Sequence, residues 1–135
     1  MWALRSLFIY QRKDRSVKRR ILLIDDDQEL SEEMVDFLTA EGYYVQAVSD
    51  GLEGEKLIKK NPYDIILLDY KMPALNGVDF LKRIDKLGLK CKIILISGRP
   101  FVQKEIKKQG LSSSISGFIS KPYDVKKFLS ILKSL

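Results

Sequence analysis

The chain has no histidine and a single cysteine, Cys91, among its 135 residues. Without histidine, neither a His-ligated zinc site nor a Ser-His triad can form, and one thiol cannot build a disulfide framework. A reducing cytoplasm is the compartment that this cysteine usage fits best. No GxGxxG follows a candidate strand and no GxxxxGK[ST] occurs, so the phosphate cradles of dinucleotide and P-loop nucleotide binding are missing. Long apolar runs are missing too. The opening MWALRSLFIYQRKDRSVKRR has an apolar stretch interrupted by Arg5, too short for a bilayer and without the charged start or small-residue cleavage site of a signal peptide.

Charge of one sign is scarce outside that opening. Residues 1 to 20 hold seven Lys or Arg against Asp14 alone, and the remainder carries seventeen basic and seventeen acidic residues. The net charge of +6 therefore belongs to the tail, and it gives no reason for the neutral remainder to bind DNA. Residues 1-19 read as a basic, flexible extension; an added dimerisation helix is a second reading. Membrane contact through Trp2, Phe8 and the basic cluster ranks last, because one short amphipathic segment binds membranes weakly. Residues 20-135, in a chain 45% hydrophobic, suffice for one domain with a proper core.

What is present is a repeating pattern. Ile21 to Ile24 is an apolar run ending in Asp25, Asp26 and Asp27, followed by Leu30, Met34, Val35, Phe37 and Leu38 at helical spacing until Gly42. Tyr43 to Val48 reads as a strand and Leu52 to Ile58 as a helix. Ile65 to Leu68 reads as a strand buried on both faces, with Asp69 expected to be exposed at its tip. The Met72-Pro73 step ends regular structure, and Asn76-Gly77 opens a helix over Val78 to Leu87. Lys92 to Ile96 is a strand ending at Ser97-Gly98, and Cys91 at its start reads as a small hydrophobe. Val102 to Gln109 is a less regular helix, and Leu111 to Ser116 a Ser-rich loop. The last strand falls within Ile115 to Ser120, and Val125, Phe128, Leu129 and Leu132 mark the final helix. Strands alternating with helices specify an α/β fold, a doubly wound parallel sheet covered on both faces.

In such a sheet ligands bind beyond the carboxyl ends of the strands, where strand order reverses. The residues delivered there are Asp25 and Asp26, Asp69, Ser97 and Lys121. Three carboxylates without His or Cys favour Mg²⁺, with Mn²⁺ the alternative, over zinc; without a cation their repulsion would raise at least one pKa. A hydroxyl and an ammonium suit the oxygens of a phosphoryl group. The reaction class suggested is phosphoryl transfer to an Asp nucleophile. Each residue alone has a plainer role: Asp25 to Asp27 as a helix N-cap, Ser97 as a turn hydroxyl, Lys121 as a solvated charge, Phe118 as core.

Together, ILLIDD (Ile21 to Asp26), IILLDYKMPALNG (Ile65 to Gly77), IILISG (Ile93 to Gly98) and FISKP (Phe118 to Pro122) resemble the receiver domain of bacterial two-component response regulators. The resemblance covers about residues 20 to 135 and implies a flavodoxin-like five-stranded sheet of order 2-1-3-4-5. It implies Asp69 as phosphoacceptor from a sensor histidine kinase. Mg²⁺ would be held by Asp25, Asp26, Asp69 and the backbone carbonyl of Lys71. Ser97 and Lys121 would hold the phosphoryl oxygens, and Ser97 with Phe118 would form the switch. The output would be a downstream protein, met through the fourth-helix, fifth-strand and fifth-helix face.

Two features depart from the family. Gly98-Arg99-Pro100 follows Ser97 before an irregular fourth helix, and Leu111 to Gly117 lengthens the next loop. Lys71 and Arg99 are both basic where the family flanks the phosphoryl group, which implies slow hydrolysis. An enzyme reading comes from Asp25-Asp26-Asp27, similar to the Asp-x-Asp of haloacid-dehalogenase-type phosphatases, but Glu29 stands where that pattern has Thr or Val. A constitutive interaction module with the same fold is the other alternative.

Overall fold

Residues 18–70, 77–98, 101–122 and 124–135 are described by a computed structural model. Its strands are β1 (Arg20–Ile24), β2 (Tyr44–Val48), β3 (Ile65–Asp69), β4 (Lys92–Ser97) and β5 (Gly117–Ser120). The helices are α1 (Gln28–Ala40), α2 (Gly51–Lys60), α3 (Gly77–Asp85), α4 (Val102–Lys108) and α5 (Val125–Ser134). The strands form one parallel sheet of order β2-β1-β3-β4-β5, with the switch point between β1 and β3. The four-residue apolar runs lie where a strand buried on both faces must lie: every residue of β3 is buried.

Alternation along the strands sorts the core into two halves. Leu22, Ile24, Ile66, Leu68 and Leu95 face Phe80, Leu81, Ile84 and Ile106 of the α2, α3 and α4 side. Ile21, Leu23, Ile65, Leu67 and Ile94 face Met34, Leu38, Phe128 and Leu132 on α1 and α5. Burying a side chain of this size contributes about 1.5–3 kcal/mol, so each layer anchors its helices to the sheet.

Asp27, Asp50 and Asp124 cap α1, α2 and α5 by accepting hydrogen bonds from amides of the first turns. At the other end of α1, Gly42 adopts φ 98°, its N–H bonds to the Thr39 carbonyl and that of Tyr43 to the Leu38 carbonyl. Those paired bonds stop the helix and turn the chain into β2.

Some boundaries differ from the sequence pattern. The expected loop 111–116 contains a 3-10 turn, Ser112–Ser114, closed by the Ile115 amide on the Ser112 carbonyl, so the last strand starts at Gly117. The helix opened at Gly77 ends at Asp85, because the Leu87 and Gly88 amides make tighter bonds to Ile84 and Asp85.

Helices α2 and α3 are tied by Arg83, whose Nε and Nη2 donate to Glu55 Oε1 at 3.0 and 2.7 Å. Lys59 lies 3.5 Å from the other oxygen. The Arg83 hydrogen bond holds the Glu55 carboxyl below its ordinary value of 4.5; it outweighs burial, and the Arg83 and Lys59 charges add to it. A depressed carboxylate stabilises the fold above its unfolded pKa, and that contribution is lost as pH falls through the folded value. Melting temperatures of wild type should therefore fall more steeply below about pH 4.5 than those of Glu55→Gln. Parallel curves for the two proteins would refute the coupling.

Candidate functional site

The carboxyl ends of β1 and β3 place Asp25, Asp26 and Asp69 together at the switch point. One oxygen from each lies within 4.8 Å of the others, with Asp25 and Asp69 buried and Asp26 exposed. The Asp69 carboxylate is thus not the exposed tip expected from the sequence: the residue retains 6% exposure. Lys121, on the turn after β5, reaches over both buried carboxylates, 3.3 Å from Asp25 Oδ2 and 3.6 Å from Asp69 Oδ2.

Lys121 is in turn fixed by its backbone. Its amide donates to the Ser97 carbonyl at 2.9 Å, extending the β4 to β5 ladder, where Ser97 pairs with Ser120. The Lys121-Pro122 peptide is cis. Burial works against the ammonium, but the Asp69 and Asp25 charges and the hydrogen bonds to them prevail, so its pKa is raised above 10.5. Lys121 thus sets one positive charge beside two of the three clustered carboxylates.

Asp25 is oriented from its own strand end as well. The Asp27 amide donates to Asp25 Oδ1 at 3.0 Å, while Asp27 Oδ1 accepts from Leu30 as the helix cap. The capping role suggested for all three residues belongs to Asp27 alone. This support for Asp25 escaped the sequence reading, although the run of acids before an apolar helix contained its signal.

Ser97 ends β4 and is half-buried. Phe118 is also half-buried and packs on the α2, α3 and α4 side of the core, paired in register with Leu95. Cys91 is half-buried just before β4, where burial pushes its thiol up, in keeping with a packing role. Lys71 and Arg99 lie outside the described residues, as do the N-terminal residues 1–17. Next to β3, the Gly77 amide donates to the Tyr70 carbonyl at 2.8 Å. A Cβ at Gly77 would stand 3.0 Å from the Tyr70 Cα and carbonyl oxygen, so this close approach calls for glycine.

A buried Asp thus lies between an acidic pair and a lysine, each delivered by a separate strand end. The response regulator receiver domain matches residues 21–133. The chain belongs to that family. Among curated relatives, the uncharacterized transcriptional regulatory protein YcbL of Bacillus subtilis is 33% identical over 114 residues, 84% of this chain and 49% of YcbL. The probable transcriptional regulator ycf29 of Porphyra purpurea is 30% identical over 85% of this chain and 55% of its own length. The receiver spans about half the length of these regulators.

Solved receivers share the fold. The non-phosphorylated HemR receiver domain of Leptospira biflexa is 30% identical with a TM-score of 0.76, covering 87% of this chain and 93% of that one. A CheY-like receiver from Methanospirillum hungatei has a TM-score of 0.79 at 26% identity, covering 87% and 93%. No described helix of this receiver is long and apolar enough to cross a membrane.

Proposed function

We propose that this receiver is a phosphorylation-switched signalling module, accepting a phosphoryl group on Asp69 from a sensor histidine kinase of a two-component system. The observation that carries this reading is Lys121 held across Asp25 and Asp69 at 3.3 and 3.6 Å. Three close carboxylate oxygens form a hard donor set that fits Mg²⁺, with Mn²⁺ as alternative, and Asp25, Asp26 and Asp69 would hold the ion with the Lys71 carbonyl. When bound, the ion neutralises the carboxylates and the phosphoryl oxygens.

The chain's own residues supply the rest. An Asp69 carboxylate oxygen attacks phosphorus, the P–N bond to the partner's imidazole breaks, and the imidazole nitrogen keeps the electron pair and takes a proton from solvent. Lys121 leaves the carboxylates to pair with one phosphoryl oxygen, and the Ser97 hydroxyl donates to another. Movement of Ser97 frees space for Phe118 to turn inward, altering the α4, β5 and α5 face that meets a downstream protein. The chain catalyses only its own phosphoryl transfer and slow dephosphorylation. Its expected place is the cytoplasm, and it makes no direct DNA contact of its own.

The test is incubation with Mg²⁺ and acetyl phosphate followed by intact mass. One phosphoryl group should appear on wild type, depend on Mg²⁺ and be absent from Asp69→Ala. No adduct on wild type, or one that survives Asp69→Ala, ends this reading and leaves the constitutive interaction module. Decay of the adduct reads the slow hydrolysis attributed to Lys71 and Arg99: Lys71→Asn and Arg99→Glu should each accelerate it, and unchanged decay removes that role. Sustained turnover of a generic phosphate ester would favour the phosphatase alternative.

A further inference from the structure

A cavity of about 550 Å³ opens between α1, the end of β2 and the start of α2. Asp25 and Asp26 stand at its edge, but Asp69, Ser97 and Lys121 do not line it. It lies over the β1 and β2 side of the sheet, away from β5, and its volume is that of a small-ligand site.

The lining has one sign of charge. Glu32, Asp36 and Glu53 join the two site aspartates, and no Lys or Arg is among the lining residues. Glu32 and Asp36 lie four apart on α1, a spacing at which like charges on one helix face repel. Among the described residues, the Glu53 carboxylate pairs with the largely exposed Lys56, at 3.8 Å on its own helix. Val35, Ala47 and Val48 supply an apolar wall between these carboxylates.

A second observation is independent of charge. Ser31 lines the cavity, retains only 6% exposure, and its buried Oγ has no hydrogen-bond partner among the described residues. An orphaned buried hydroxyl is costly and awaits a partner. Carboxylates at the rim, an apolar wall and a free acceptor in a buried wall together define the group they would hold. We infer that this cavity binds an alkylguanidinium or alkylammonium group, its head among the carboxylates and Ser31 and its stem along Val35 and Val48. Such a group comes either free, as a small polyamine, or on an Arg or Lys side chain of a docking protein.

The experiment is an NMR titration of the whole chain without Mg²⁺ at constant ionic strength, so its outcome does not depend on whether Asp69 is a phosphoacceptor. Agmatine, N-acetyl-arginine amide and, as an uncharged control, n-butanol are the probes. The amides of Ser31, Val35, Ala47 and Ser49 should shift saturably with the cations and not with the alcohol. Ser31→Ala and Glu53→Gln should each weaken binding about tenfold, a change of about 1.4 kcal/mol. Ser31→Ala should melt at or above the wild-type temperature, since it removes an unsatisfied group, which separates lost binding from lost folding. Agmatine binding tenfold tighter than the arginine amide points to a free polyamine; equal or tighter binding of the amide points to a protein side chain. Shifts that never saturate, that n-butanol reproduces, or that survive both substitutions overturn the proposal.

Discussion

Lys121→Met is expected to destabilise the metal-free protein by about 3 kcal/mol and to slow Mg²⁺-dependent phosphorylation about a hundredfold. The stability loss follows from burial. Asp25 and Asp69 retain 2% and 6% exposure, and removing the ammonium leaves two buried carboxylates without their cation. Breaking a fully buried pair costs about 3–5 kcal/mol; the lower figure applies because the Lys121 side chain keeps 24% of its exposure. Millimolar Mg²⁺ should restore part of the loss by binding the folded state.

The alkaline limb carries a second signature. Because the folded pKa of Lys121 is raised, its stabilisation is complete below 10.5 and disappears as pH rises through the higher folded value. Wild type should therefore lose stability in that window and Lys121→Met should lack this component. Urea unfolding at neutral pH and above pH 10.5 checks both statements. Equal stability of the two proteins at neutral pH would mean that Lys121 does not neutralise the pair.

Phe80→Ala is expected to cost about 4 kcal/mol, a large share of the stability of a domain this size. The ring is fully buried between α3 and the sheet, in the layer that contains Leu22, Ile24, Ile66 and Leu68. Its edge lies 3.6 Å from where a Cβ on Gly54 would stand, an ordinary packing distance, with the Ile24 side chain nearer still, so α2 packs over both side chains. Removing the ring opens a cavity that rigid flanking strands cannot collapse to fill. The urea midpoint should fall with its slope unchanged, whereas Leu52→Ala, at a residue 43% exposed, should move it by under about 0.5 kcal/mol. A Phe80→Ala loss as small as that of Leu52→Ala would place the core elsewhere.

The sheet was legible because buried parallel strands leave continuous apolar runs. Ile21 to Ile24, Ile65 to Leu68 and Ile93 to Ile96 name three central strands without help from structure. Edge strand β2, with three of its five residues exposed, was recognised from β-rich composition between turn signals instead. The site residues were legible as strand-end positions, but their environment was not. Exposure of Asp69 was inferred from its place at a strand tip, whereas the structure buries it beside Lys121, brought in by chain pairing far along the sequence. The division between Asp27 as cap and Asp25 as site residue depends on which oxygen faces which amide. Glu55 was not singled out in the sequence, since only the packing of α3 on α2 brings Arg83 to it.

Lys121 and Asp25 are 96 positions apart, and Asp69 falls between them. As a ribosome makes this chain, both carboxylates emerge long before the ammonium that neutralises them. A nascent chain stopped before β5 therefore lacks the ammonium that lies beside both acids in the finished fold. Completion of the last strand brings that charge to both carboxylates in one step. The finished ion-pair cluster is thus also a sign that translation and folding have passed the last strand.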